Sequence, residues 1–170
     1  MRLMRRILDV TVGGLCCLLL AGMVAVLAWQ VFSRYILNDP STFSEEALRF
    51  GVIWLSLMGA AYSTGQGTHM AVDLLQGVLN GRALVAQRCL VPLSLAIFGI
   101  GVLVLGGWHG VQIARGQTSA VLQIPMGLVY ASLPVSGALM ALYSLLNLTD
   151  ILRGDRAPAD PMERAVISGD

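Results

Sequence analysis

Apolar and polar positions alternate in long blocks along the chain rather than within short turns. Four blocks are apolar for long enough to cross a hydrocarbon layer about 30 Å thick, which takes roughly 20 helical residues at 1.5 Å each. The first, Val10–Phe32, carries no charge. It follows Arg2, Arg5 and Arg6 as a signal peptide would, but it is longer than a signal core and "AVLAWQVF" offers no cleavage site, so it reads as a retained span. The second runs from Arg49 to Gln66, the third from Leu90 to Trp108 and the fourth from Ile124 to Leu146. Pro125 suits the first turn of the fourth, where its missing N–H has no helical partner. Pro134 lies inside it and is expected to bend the axis.

The segments between these blocks are too polar to cross. In "THMAVDLLQGVLNGRALVAQR", Val72, Leu75, Val78 and Leu79 fall on one helical face and Asp73, Gln76 and Asn80 largely on another. That pattern predicts an amphipathic connector lying along the membrane interface. Gly77 and Gly81 weaken the helix and leave an irregular loop of the same character as the alternative. The expected fold is an all-α integral membrane protein with four transmembrane helices and this interfacial connector between the second and third. Residues 1–9 form an N-terminal flank, 10–149 the membrane domain and 150–170 a polar C-terminal tail.

Arginine placement sets the orientation. With the N-terminus in the cytoplasm, the inner flanks hold Arg2, Arg5, Arg6, Arg82, Arg88, Arg153, Arg156 and Arg164, and the outer flanks hold Arg34, Arg49 and Arg115. The excess favours both termini inside. Composition agrees with a membrane protein: 56% of residues are hydrophobic, 12% are charged, and the mean hydropathy is +0.73. The net charge is +1 and the arginines form no dense basic patch, so nucleic acid is not an expected partner. Cys16, Cys17 and Cys89 show neither C-x-x-C nor metal-ligand spacing and read as packing residues.

The densest group of charges lies between the first two spans, in "SRYILNDPSTFSEEALRFGVIW" from Ser33 to Trp54. Asp39-Pro40 interrupts helix, and Thr42 with Glu45 makes a possible capping box for the second helix. Glu45 and Arg49 stand in the favourable i,i+4 order, with Glu45 and Glu46 near the positive end of the helix dipole. Because Phe50 to Thr68 nearly suffices to cross, these charges can stay at the outer interface. The expectation is a clasp between loop and helix, open to contact with a partner. Gly106 and Gly110 form a G-x-x-x-G at the outer end of the third span, a candidate for close helix packing beside Gly99, Gly101 and Gly107.

Catalysis and cofactors find little support. His69 and His109 belong to opposite membrane ends, so a bis-histidine haem within one chain is not expected. No Ser/His/acid arrangement and no P-loop is present, and the adjacent Glu45 and Glu46 point in different directions on a helix. The chain is therefore expected to be no enzyme, with no cofactor and no metal.

Two segments, "FSRYILNDPSTFSEEALRF" and "GAAYSTGQGTHMAVDLL", give the chain its identity as a type. It resembles the small membrane subunit of tripartite ATP-independent periplasmic (TRAP) transporters, the DctQ-like family. Arg34, Tyr35, Asn38, Glu45 and Glu46 match the family's outer-loop pattern, and Gly67, His69, Val72 and Asp73 its inner-connector pattern. Phe43 stands where tryptophan is usual, and Gly65 and Ala71 where basic residues are frequent. The resemblance implies a non-enzymatic scaffold in the bacterial inner membrane. A periplasmic substrate-binding protein would capture an organic acid and a large membrane subunit would import it on a sodium gradient. The small subunit, among membrane lipids, would pack beside the large one. Arg34, Tyr35, Asn38, Glu45, Glu46, Arg49, Gly67, His69 and Asp73 are thereby structural or partner-contact candidates. A membrane anchor or assembly subunit of a respiratory complex is the alternative.

Overall fold

A computed structural model describes residues 2–39, 41–66 and 82–152. The interfacial connector expected between the second and third spans, with Gly67, His69 and Asp73, lies outside the described residues. Regular structure is helical throughout these residues apart from one isolated bridge, Thr118 to Pro125. The helices are α1 (Arg2–Tyr35), α2 (Thr42–Gln66), α3 (Arg82–Phe98), a π-helical segment (Gly99–Gly106), α4 (Gly107–Ala114), α5 (Met126–Tyr130) and α6 (Ser132–Leu152).

Among the described residues three helical stretches are long and apolar enough to cross a membrane: Arg5–Tyr35, Cys89–Ala114 and Met126–Ile151. The first two extend beyond both ends of the apolar block that predicted them and the third beyond its C-terminal end, because helix continues into flanking polar residues once its middle is committed. The stretch α2 is long enough, but Glu45, Glu46 and Arg49 at one end and Tyr62, Ser63, Thr64 and Gln66 at the other dilute its apolar centre.

The helices pack as a row rather than a closed bundle. Helix α1 packs on α2, α2 on α6, and α6 on α3 and the π segment. Specific contacts give the directions. A Cβ at Gly13 would meet the Tyr62 ring at 3.3 Å and one at Gly51 would meet Met23 at 3.0 Å, so α1 and α2 are antiparallel. Gly99 lies against Gly137 and Gly107 against Leu133 and Pro134, so α6 is antiparallel to the π segment and α4; Gly65 at the end of α2 lies against Tyr143 while the start of α2 lies near Ser132 and Leu133, so α6 runs parallel to α2. At the centre of the row Ala61, Leu103 and Met140 form the buried apolar cluster, with Leu95, Leu133 and Leu139 against it.

The stretch Cys89–Ala114 is not a uniform α-helix. Eight residues of π-helix occupy its middle, at the crossing with α6. There the backbones nearly touch: a Cβ on Gly99 would stand 2.9 Å from the Gly137 carbonyl oxygen, and one on Gly137 only 2.5 Å from Leu103 Cβ. A wider helical turn at this point changes which residues face α6, as π insertions do. The glycines packed closely between this stretch and α6 are thus Gly99, Gly107 and Gly137. Gly106, half of the expected G-x-x-x-G, has nothing within 4 Å of its would-be Cβ, and Gly110 has only ordinary contact with Tyr130 at 3.5 Å.

The stretch Met126–Ile151 is interrupted as Pro134 predicts. Helix α5 ends at Tyr130 and α6 begins at Ser132, because the proline ring cannot coexist with an undistorted carbonyl four residues before it and supplies no N–H. Val135 N still reaches Ala131 O at 3.2 Å, and Ser132 Oγ donates to Val129 O at 2.7 Å, so hydroxyls and a shifted turn occupy carbonyls at the break. Pro125 caps α5 in an extended conformation instead of entering its first turn.

Candidate functional site at the two polar ends

The row gathers its charged side chains at two ends and leaves the middle free of them. No acidic, basic or histidine residue lies between Val10 and Ser33, between Phe50 and Gln66, between Cys89 and Trp108, or between Gly116 and Thr149.

At one end is the hairpin from α1 to α2. Helix α1 stops where Asn38 adopts a left-handed conformation (φ 52°), which asparagine accepts more readily than most residues. The buried Ser33 hydroxyl donates to the Asp39 carbonyl, and Asp39 N returns to Ser33 O at 3.3 Å. The cap of α2 falls one residue before the expected Thr42–Glu45 box: Ser41 precedes the helix, its hydroxyl meets that of Ser44, and Ser44 Oγ donates to Ser41 O at 2.9 Å.

The clasp also moves by one residue. Among the described residues no ion pair joins Glu45 to Arg49, and both are exposed. Glu46 closes the loop instead. Its Oε2 accepts the backbone N–H of Leu122 at 2.7 Å and of Val121 at 3.1 Å. Those amides lie at the tip of a loop that folds on itself: Met126 N donates to Gln117 O at 2.8 Å and Ser119 N to Ile124 O at 2.9 Å. Gln123 takes the second left-handed conformation (φ 53°), and its side-chain amide donates to Ala120 O at 3.2 Å. The amide of Leu122 foremost, with the neighbouring loop amides, holds the Glu46 carboxyl below its ordinary pKa; desolvation, the second-largest effect, pushes the other way and is outweighed. Arg34, Tyr35 and Asn38 are exposed beside this clasp without being drawn into it. Farther along, the Arg115 guanidinium lies 5.9 Å from the centre of the Trp108 ring.

Beneath the clasp a cavity of about 470 Å³ separates α2 from α5 and the start of α6. Glu46, Arg49, Gln117 and Thr118 line its polar rim, and Phe50, Ile53, Leu57, Val129 and Leu133 its apolar floor.

The opposite end holds a cluster that sequence reasoning missed. Arg5 Nη1 donates to Asp150 Oδ2 at 2.8 Å and its Nη2 to the Gly65 carbonyl at 2.5 Å, joining α1, α2 and α6. Asn147 Nδ2 reaches the Thr64 carbonyl at 2.8 Å in a buried setting, while Thr64 Oγ1 bonds back to Ala60 O. The ring of Tyr143 is buried over Gly65, where a Cβ would come within 2.5 Å of it. The available signal was the spacing of Tyr143, Asn147 and Asp150, a polar i, i+4, i+7 stripe in an apolar helix. Helix α6 runs through Asp150 to Leu152, so the ion pair lies on the helix rather than in the expected tail.

These ends brace helices and loops. Among the described residues no group of three metal-ligating side chains converges. Three relatives are similar to it in sequence. The sialic acid TRAP transporter small permease protein SiaQ of Vibrio cholerae is 28% identical over 98% of this chain and 97% of its own. A putative TRAP transporter small permease protein of Haemophilus influenzae is 23% identical over 91% of this chain and 98% of its own. The isethionate TRAP transporter permease protein DctMQ of Oleidesulfovibrio alaskensis is 29% identical over 79% of this chain but only 23% of its own. The family described as "Tripartite ATP-independent periplasmic transporters, DctQ component" matches residues 23–154, which displaces the alternative of a respiratory anchor. This chain, a helical protein with several helices long and apolar enough to cross a membrane, therefore belongs to the DctQ family of TRAP transporter small permease subunits.

Proposed function

We propose that this chain is the scaffold subunit of a sodium-coupled TRAP transporter that imports an organic acid captured by a periplasmic binding protein. In this reading α2 is a fourth membrane crossing, both termini are cytoplasmic, and the hairpin and the 117–126 loop face the periplasm from the inner membrane. The observation that carries it is the charge-free middle of all four helices, which offers neither a coupling-ion site nor a polar path for an anion. Passage then belongs to a larger partner. The DctMQ relative, of which this chain covers only 23%, fits a small subunit that works beside a much larger permease portion. The row supplies the matching surface: α1 packs on α2 and leaves Val10, Leu18, Val24 and Leu27 exposed along its length.

Arg34, Tyr35, Asn38 and Glu45, exposed at the hairpin, serve as contacts for the binding protein or the large subunit. Gly67, His69 and Asp73 serve the same purpose on the connector. The test is reconstitution: this chain alone should give no uptake, and the three components together should accumulate substrate on a sodium gradient. Full uptake without this chain, or by it alone, would overturn the assignment. Reporter fusions should place the N-terminus and Arg153 in the cytoplasm and Asn38 and Gln117 in the periplasm; Asn38 on the same side as the N-terminus would remove the four-crossing arrangement.

A further inference from the structure

The cavity under the Glu46 clasp is graded from charged to apolar along one helical face. On α2, Glu46, Arg49, Phe50, Ile53 and Leu57 follow one another at i, i+3, i+4, i+7 and i+11, so that face descends from the rim toward the middle of the row. The two charges at the rim are not equivalent. Glu46 has its Oε2 committed to the loop amides, whereas the exposed Arg49 guanidinium has no hydrogen bond or ion pair among the described residues. The cavity, about 470 Å³, has the size of sites that hold one small ligand.

We infer that this cavity is a binding site for one membrane phospholipid, with its phosphate on Arg49 and an acyl chain on the floor formed by Ile53, Leu57 and Leu133. Charge complementarity selects the occupant. An anion is needed at Arg49, an apolar tail below it, and a phospholipid supplies both at the depth where headgroup gives way to hydrocarbon. A guanidinium donates two parallel hydrogen bonds to a phosphate, which a lysine ammonium cannot reproduce. Glu46 sharpens the choice by excluding a second anion from the rim, so a single phosphodiester with an outward headgroup fits better than a free multivalent phosphate. The bound lipid would wedge α2 against α5 and α6 beneath the loop that Glu46 closes. The inference rests on the membrane placement proposed above.

The experiment uses the full chain purified in complex with its large subunit and examined by native mass spectrometry with phosphatidylglycerol added. The parent should carry one tightly held phospholipid. R49A should bind phosphatidylglycerol about tenfold more weakly, as loss of a hydrogen bond to a charged group implies, with R49K between the two. I53W, which fills the floor, should lose the lipid while the complex survives. A photoreactive residue placed at Ile53 in the otherwise unchanged chain should crosslink to lipid, which keeps the test intact if I53W misfolds. Unchanged lipid binding in R49A, equal retention of inorganic phosphate, or crosslinking to the large subunit would each overturn the site. Loss of the complex with lipid still bound to the isolated chain would instead count against the subunit reading and leave the lipid site standing.

Discussion

Arg5 and Asp150, 145 positions apart in the sequence, meet at 2.8 Å and join the first helix to the last. The same guanidinium reaches the Gly65 carbonyl, so one side chain ties three helices at the end where α1 begins and α6 ends. Both partners are about a quarter exposed, which places the pair between a screened surface contact and a buried one.

Removing either partner should therefore cost about 1.5–3 kcal/mol, the range for hydrogen bonds to charged groups. R5Q and D150N are expected to lower the thermal unfolding midpoint in detergent, with R5Q the more damaging because it also gives up Gly65. The exchanged pair R5D/D150R should recover part of the loss. Equal stability of all three variants and the parent would show the pair to be incidental.

The Glu46 clasp should depend on pH in a defined direction. Its carboxyl titrates below the ordinary value because Leu122 and the other loop groups favour the ionised form. The released loop therefore binds a proton more readily than the clasped one. The clasp contributes in full above the ordinary glutamate pKa of about 4.3 and is lost as pH falls through the lowered value. In an NMR titration the amide protons of Val121 and Leu122 should hold steady from pH 7 to about 4.3 and shift below it, and E46Q should abolish the step. A transition above the ordinary glutamate range would contradict the assignment. E45Q should leave these amides unchanged, since Glu45 is exposed and makes no ion pair with Arg49 among the described residues.

Glycine substitutions should separate the packed crossing from the sequence motif. G137A drives a methyl group into Leu103 and the Gly99 carbonyl, and overpacking of this kind costs about 1–3 kcal/mol. G106A meets nothing within 4 Å and should be neutral, or stabilising by up to about 1 kcal/mol through helix propensity. Unfolding curves of the two variants in one detergent decide the matter; the reverse order would mean that the G-x-x-x-G face is the packed one.

Much of the architecture was legible from hydropathy, because a long apolar run without charges has few alternatives to a membrane helix. The ends of α2, the break near Pro134 and the turn at Asn38-Asp39 follow from local chemistry acting over a few residues. The π segment was not legible. Its sequence, GIGVLVLG, suits an ordinary apolar helix, and the contact that coincides with the widening, Gly99 against Gly137, lies across 38 positions of chain. The G-x-x-x-G reading failed for the same reason: spacing says which residues share a face, not which face a neighbour covers.

What the sequence determined by itself was a set of apolar helices with charge confined to their ends, since desolvating a charge in hydrocarbon costs more than any local preference can offset. Only the tertiary structure decided which end charges do work. Glu45 and Glu46 are chemically identical neighbours, but a turn of about 100° between successive helical residues points one at solvent and the other at the amides of Val121 and Leu122. Arg5 looks like a topology signal until the antiparallel register brings Asp150 beside it. Those choices depend on the rotation and offset of each helix against its neighbours, and these are set by close contacts such as Gly65 on Tyr143 that no local pattern encodes.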